Sequence, residues 1–99
     1  MLIRRSELFK SQFQIILNYI ASDKISAMLK FRKDLNIQIK DISSFPYKYK
    51  KSNYHNDENV REMTFRGYTI IYKIYDNYIQ ILEIFNQNLP ILKKVQSPL

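Results

Sequence analysis

An α+β fold is what this sequence predicts: a short N-terminal strand, an antiparallel helical hairpin and a three-stranded antiparallel meander. Three observations carry the prediction. Residues 59 to 90, NVREMTFRGYTIIYKIYDNYIQILEIFNQNLP, contain three runs rich in β-branched and aromatic residues, Asn59 to Phe65, Tyr68 to Tyr75 and Tyr78 to Phe85. Only Arg66-Gly67 and Asp76-Asn77 separate these runs, and glycine, aspartate and asparagine tolerate the positive φ of primed hairpin turns. Ahead of them, residues 6 to 44 place apolar side chains at helical spacing, with a break near residues 21 to 23.

The elements follow in order. Leu2-Ile3-Arg4 reads as a short extended segment added to an edge of the sheet. Ser6 offers a helix N-cap, and Glu7 stands in the first turn, where the helix dipole favours a negative charge. In the first helix Phe9, Phe13, Ile16, Leu17 and Ile20 make one apolar stripe, while Lys10, Gln14 and Asn18 fall on the other side. It stops near Ala21. Ser22 or Asp23 then caps a second helix, in which Ile25, Met28, Leu29, Leu35, Ile39 and Ile42 form the buried stripe and Arg32 interrupts it. Phe45-Pro46 ends that helix, because a residue before proline is driven out of the α region. So short a connection folds the two helices back on each other, and their joint apolar surface needs a cover.

Two-residue turns set a register for the meander. Phe65 opposes Tyr68, Met63 opposes Ile70, Arg61 opposes Tyr72, Ile74 opposes Ile79 and Tyr72 opposes Ile81. One face then carries Met63, Phe65, Tyr68, Ile70, Tyr72, Ile74, Ile79, Ile81 and Phe85, and this face covers the helices. The other carries Val60, Glu62, Thr64, Thr69, Ile71, Lys73, Tyr75, Tyr78, Gln80, Leu82 and Ile84. Being mixed and more polar, it is where a site is expected. Arg61 is assigned to the helix side, where a charge must be paired or reach the rim, so an ion pair with a helix or tail carboxylate is expected of it.

The chain is read as a single domain over residues 1–99, with the hairpin at about 6–44, the meander at about 59–85 and a tail at 86–99. Such a length buries enough surface to need no covalent staple. There is no cysteine and only one histidine, His55, so neither a disulfide framework nor a thiolate or imidazole metal site is available. A reducing cytoplasm is the expected location. The N-terminus has no continuous apolar stretch of the signal-peptide kind, and no membrane span is expected.

Sixteen Lys and Arg against nine Asp and Glu leave a net charge of +7. Such a field favours polyanions or an acidic protein partner. The connection YKYKKSNYHNDE, Tyr47 to Glu58, alternates aromatic with basic residues before turning acidic. Its lysines suit phosphates and its tyrosines suit bases, although a solvated link between helix and strand carries the same residue types. His55 reads as a loop side chain. Gly67, the only glycine, belongs to a hairpin turn and not to a phosphate loop. The serines form no nucleophile elbow, and no spacing of carboxylates makes an acid-base couple.

The element order, together with FKSQFQIILNYIASDKISAMLKFRKDLNIQIKDISSFP and VREMTFRGYTIIYKIYDNYIQILEIFNQ, resembles the RelE/ParE superfamily of type II toxin-antitoxin toxins. Arg61 and the stretch Gly67 to Tyr72 carry the most specific part of the likeness. The resemblance implies two branches. Ribosome-dependent messenger-RNA endonucleases of the superfamily set lysines, arginines and sometimes a glutamate or histidine on the concave sheet face, without an obligatory metal or other cofactor. This chain departs from their pattern, with Thr69 in place of an arginine, Val60 and Glu62 at outward positions, Asn86-Gln87-Asn88 at the end of the last strand, and no tyrosine beyond Tyr78.

What the departure resembles is the ParE branch, whose members inhibit growth by poisoning DNA gyrase and serve plasmid stabilisation. A cognate acidic antitoxin is implied as partner, wrapped around the hairpin and the sheet edge. The alternative is a ribosome-dependent endoribonuclease built from another set. In it Lys48, Lys50 and Lys51 would contact phosphates, Glu62 or His55 would act as base, and Arg66 or Lys73 would stabilise charge. Glu62 and Lys73, diagonal neighbours in the register above, also read as an ordinary cross-strand ion pair. Target-binding candidates are therefore Lys48, Lys50, Lys51, Arg61, Arg66 and Lys73.

Overall fold

A computed structural model describes residues 1–86; of the tail expected at 86–99, Asn86 ends the last strand, and residues 87–99, with the segment around Pro90, lie outside the described residues. The chain order is β1 (Leu2–Arg5), α1 (Glu7–Asp23), α2 (Ile25–Ser44), β2 (Lys50–Lys51), β3 (Val60–Phe65), β4 (Tyr68–Ile74) and β5 (Tyr78–Asn86). The strands form one mixed sheet in the order β1-β5-β4-β3-β2. The N-terminal strand joins β5 in parallel, with Leu2 opposite Tyr78 and Arg4 opposite Gln80. At the far edge β2, a two-residue strand within the connection from Tyr47 to Glu58, pairs antiparallel with β3.

Ser6 caps α1 as expected, its Oγ accepting the Phe9 N–H at 2.9 Å. The predicted stripe is inside, with Phe9, Phe13, Ile16 and Leu17 buried. The second helix differs from expectation. α1 continues to Asp23, so neither Ser22 nor Asp23 caps α2; Lys24 stands at that position without a side-chain cap. Phe31, Leu35, Ile39 and Ile42 are buried, whereas Ile25 and Leu29 are 64% and 46% exposed. Only Lys24 links the helices, and of the apolar residues at the start of α2 it is Met28 that packs against the core.

Register in the first hairpin is as read, from Phe65 opposite Tyr68 to Val60 opposite Lys73. Arg66 and Gly67 both take positive φ, 49° and 83°, as a primed turn requires. The second connection keeps its length but not its type. Tyr75 donates its N–H to the Tyr78 carbonyl, and neither Asp76 nor Asn77 takes positive φ.

A bulge corrects the face assignment. Tyr72 opposes Ile81, as expected, but Ile71 opposes Glu83 and Ile70 opposes Ile84. Leu82 is the extra residue, and because side chains alternate with period 2 it exchanges the faces of everything after it. Ile84 therefore joins Ile70 on the helix side, and Phe85 moves to the outer face with Ile71 and Thr69. Ser6, the N-cap of α1, and Gln12 within that helix hold this irregularity in place. Ser6 Oγ donates to the Leu82 carbonyl at 2.6 Å, Ser6 N–H donates to Ile81, and Gln12 Oε1 accepts the Ile84 N–H at 2.8 Å.

Candidate functional site

The outer face of β3 and β4 is not open. Val60, Glu62, Thr69 and Ile71 are all buried, and residues 47–58 account for much of the attachment over that side. The cover begins at the end of α2, where Asp41 accepts from Lys48 at 2.9 Å and from the Tyr49 hydroxyl. Tyr72, buried in the core, donates its hydroxyl to the Pro46 carbonyl at 2.6 Å, and burial pushes that phenol's pKa far up. Ser52 N–H then donates to Val60, Asn53 N–H to Glu62 Oε1 at 2.8 Å, and the Tyr54 ring stands edge-on to Phe85 at 5.3 Å. Asp57 closes the far end on Lys73 at 3.2 Å.

Each basic residue singled out from the sequence has an occupation in this arrangement. Lys48 pairs with Asp41, Lys50 with Glu62 at 3.4 Å, Lys51 with Glu58 at 3.6 Å, and Lys73 with Asp57. Arg66 reaches Asp34 on α2. Arg61 takes no carboxylate among the described residues: it donates to the Glu58 and Tyr49 carbonyls and lies over the Tyr47 ring. Among the described residues the expected helix carboxylate is replaced by backbone oxygens, because β2 brings residues 47–51 alongside β3, and the tail lies outside the described residues. Carboxyl groups respond as these contacts require. Asp57 is held below its ordinary value by the Asn59 N–H and then by Lys73, Asp41 by the Tyr49 hydroxyl and Lys48, and Asp34 by Lys30 and Arg66.

Glu62, His55, Arg66 and Lys73, the set expected of a ribonuclease, each contact other groups. Glu62 is buried, and its oxygens serve Asn53 and Lys50. The cross-strand pair expected with Lys73 does not form, since each has another partner. Arg66 is tied to α2, while His55 lies in the loop with its Nδ1 3.4 Å from Ser52 Oγ. An open depression of about 560 Å³ is lined by Lys51, Ser52, Asn53, Tyr54, His55 and Asn56. Among the described residues no three His, Cys, Asp or Glu side chains come together to hold a metal, and no helix is long and apolar enough to cross a membrane.

One acid was missed. Glu83 turns to the outer face because of the bulge, and burial raises its pKa, with His55 opposing the shift. The sequence signal was an acid inside the apolar run ILEIF. A raised folded-state value means that the stability tied to this proton is complete below the ordinary glutamate pKa and is lost as pH rises through the folded value. Glu83→Gln is therefore expected to raise stability at neutral pH by less than about 1 kcal/mol after solvent screening. Its advantage over the parent shrinks to nothing as pH falls below the carboxylate range, and thermal unfolding across pH measures it.

The uncompensated charge lies elsewhere. Lys24, Arg32, Lys33 and Lys40 are exposed and have no carboxylate partner among the described residues. All belong to α2 or its first boundary, beside the exposed Ile25, Leu29 and Ile37. Leu8, Ile15 and Tyr19 add a second exposed apolar row on α1.

Comparison with known proteins agrees with this architecture. A family model described as "ParE toxin of type II toxin-antitoxin system, parDE" matches residues 3–88. Among solved structures, a chain of the chromosomal ParDE TA system from P. aeruginosa is similar over 87% of this chain and 95% of its own length, with a TM-score of 0.71 and 18% identity. At that identity the likeness concerns the fold. No curated protein matches.

Proposed function

We propose that this chain, which belongs to the ParE toxin family of type II toxin-antitoxin systems, stops growth by binding DNA gyrase and trapping it on cleaved DNA. The observation that carries the reading is the closed outer face of β3 and β4. A nuclease of the superfamily's other branch needs free cations and a free acid or base on that face. Here Lys50, Lys51 and Lys73 are engaged by carboxylates, and Glu62 is spent on the loop. Positioned charge of this kind is worth orders of magnitude in rate, so its neutralisation favours action by binding over action by cleavage.

The antitoxin is assigned to the helical hairpin. Lys33 and Lys40 lie seven residues apart with Ile37 between them, on the face of α2 turned away from Leu35, Ile39 and Ile42. An acidic amphipathic segment meets both features of that face, covering Ile25, Leu29 and Ile37 and answering the unpaired lysines. Such a segment, disordered when free, would order on docking.

The test is a supercoiling reaction with purified gyrase and relaxed plasmid, followed by detergent and protease treatment. Linear DNA should accumulate with toxin dose and disappear when the acidic protein co-produced with the chain is added. Unimpaired gyrase at doses that stop growth, with cleavage of ribosome-bound messenger RNA in a reconstituted translation reaction, would replace this reading by the endoribonuclease one. Reversing Lys33 and Lys40 together to glutamate is expected to weaken antitoxin binding by about tenfold or more, as loss of complementary charge does. Calorimetric titration measures it.

A further inference from the structure

The outer face has a second half, formed by β1, β5 and the turn after β4. The parallel register puts Arg4 opposite Gln80, and Lys73 also opposes Gln80. Strand alternation then places Leu2, Arg4, Lys73, Tyr75, Tyr78 and Gln80 on one side of the sheet. That it is the side away from the helices follows from Arg5, the next residue, whose guanidinium reaches Asn36 of α2 at 2.9 Å.

On this face four side chains form a column. The Tyr75 and Tyr78 rings stack with centroids 4.7 Å apart and planes 14° from parallel. The Arg4 guanidinium carbon lies 4.3 Å from the Tyr78 centroid, and Lys73 Nζ lies 5.2 Å from that of Tyr75. Arg4 is exposed and has no carboxylate partner among the described residues. Tyr75 is exposed as well. An exposed cation over a ring contributes only about 0.5–1 kcal/mol, so the column adds little to the fold. A planar guanidinium held on a ring still offers N–H donors to a phosphate and a flat surface to a base.

We propose that Arg4, Tyr78 and Tyr75 form a binding platform for single-stranded nucleic acid, with Lys73, held by Asp57, closing its far end. A base extends the column at Arg4, and its flanking phosphate meets the Arg4 guanidinium, while Lys73 stays paired with Asp57. Stacking and charge in alternation are how unpaired strands are held. A duplex keeps its base faces inside its own stack and has only phosphates to give. The platform shares no residue with the hairpin surface assigned to the antitoxin, and the inference does not rest on gyrase as target.

The experiment is an anisotropy titration of labelled oligodeoxythymidine, oligouridine and a DNA duplex with the full chain, at low and at physiological salt. Both single strands are expected to bind better than the duplex; preference for oligouridine would make RNA the natural ligand, and parity would make it any unpaired strand. Tyr78→Ala is expected to weaken single-strand binding by about five- to a hundredfold, the range for removal of a stacking residue. Arg4→Glu should weaken it at least as much, and Arg4→Lys less. Tyr75→Phe, which keeps the stack, should retain binding and so guards against a folding defect in the alanine variant. The proposal is overturned if Arg4→Glu and Tyr78→Ala bind like the parent, if duplex binds as well as single strands, or if Lys33→Glu with Lys40→Glu removes binding as completely as Arg4→Glu.

Discussion

Replacing Tyr72 by alanine is expected to lower stability by about 3–5 kcal/mol, the range for deletion of a fully buried aromatic side chain. Tyr72 is wholly buried in β4, meets the Tyr49 ring edge-on and fixes the Pro46 carbonyl through its hydroxyl. It therefore joins the core to the start of the segment that crosses the outer face. For a domain of this size each kcal/mol moves the melting temperature by about 4–8 °C, so a fall of more than about ten degrees should be seen by circular dichroism. Tyr72→Phe isolates the hydroxyl: losing one buried hydrogen bond should cost about 1 kcal/mol. If the alanine variant melted within a few degrees of the parent, the segment after Pro46 would be held by its own ion pairs and not by Tyr72.

Gln12→Ala is expected to cost about 2–4 kcal/mol, combining an unpaired buried N–H with the space left by the side chain. Gln12 is almost completely buried on α1, and its Oε1 accepts the Ile84 N–H just beyond the bulge. A bulge disrupts the ladder locally, so a helix side chain supplies the acceptor. Gln12 Nε2, by contrast, finds no acceptor among the described residues. Gln12→Met removes this orphaned donor and keeps the volume, so its cost should be smaller, confined to the Ile84 N–H. Equal losses for the two variants would mean that the hydrogen bond to Ile84, not packing, is what Gln12 provides. A parent-like Gln12→Ala would remove α1 from the account of how the bulge is held.

The sequence by itself determined whatever depends on neighbours along the chain. Helical spacing of Phe9, Phe13, Ile16 and Leu17, the Ser6 cap, the Arg66-Gly67 turn and the register from Phe65 to Val60 are all local, and the structure has them as read. The family followed from the same stretches, because element order and the Gly67 to Tyr72 strand are properties of the chain and not of its packing. Tertiary structure decided the rest. The Leu82 bulge exchanges Ile84 with Phe85 only because Ser6 and Gln12, more than seventy residues earlier, are there to satisfy the backbone. Alternation alone carries no sign of such a partner. The charge of +7 is a sum over the chain, whereas a lysine's freedom to meet a ligand depends on which carboxylate the fold brings beside it. Folding residues 47–58 over β3 and β4 gave Lys50, Lys51 and Lys73 to acids and left Lys33 and Lys40 free on α2. For the same reason Arg4, remote in sequence, stands over Tyr78. Parallel pairing of β1 with β5 is a long-range contact, and no local pattern encodes it.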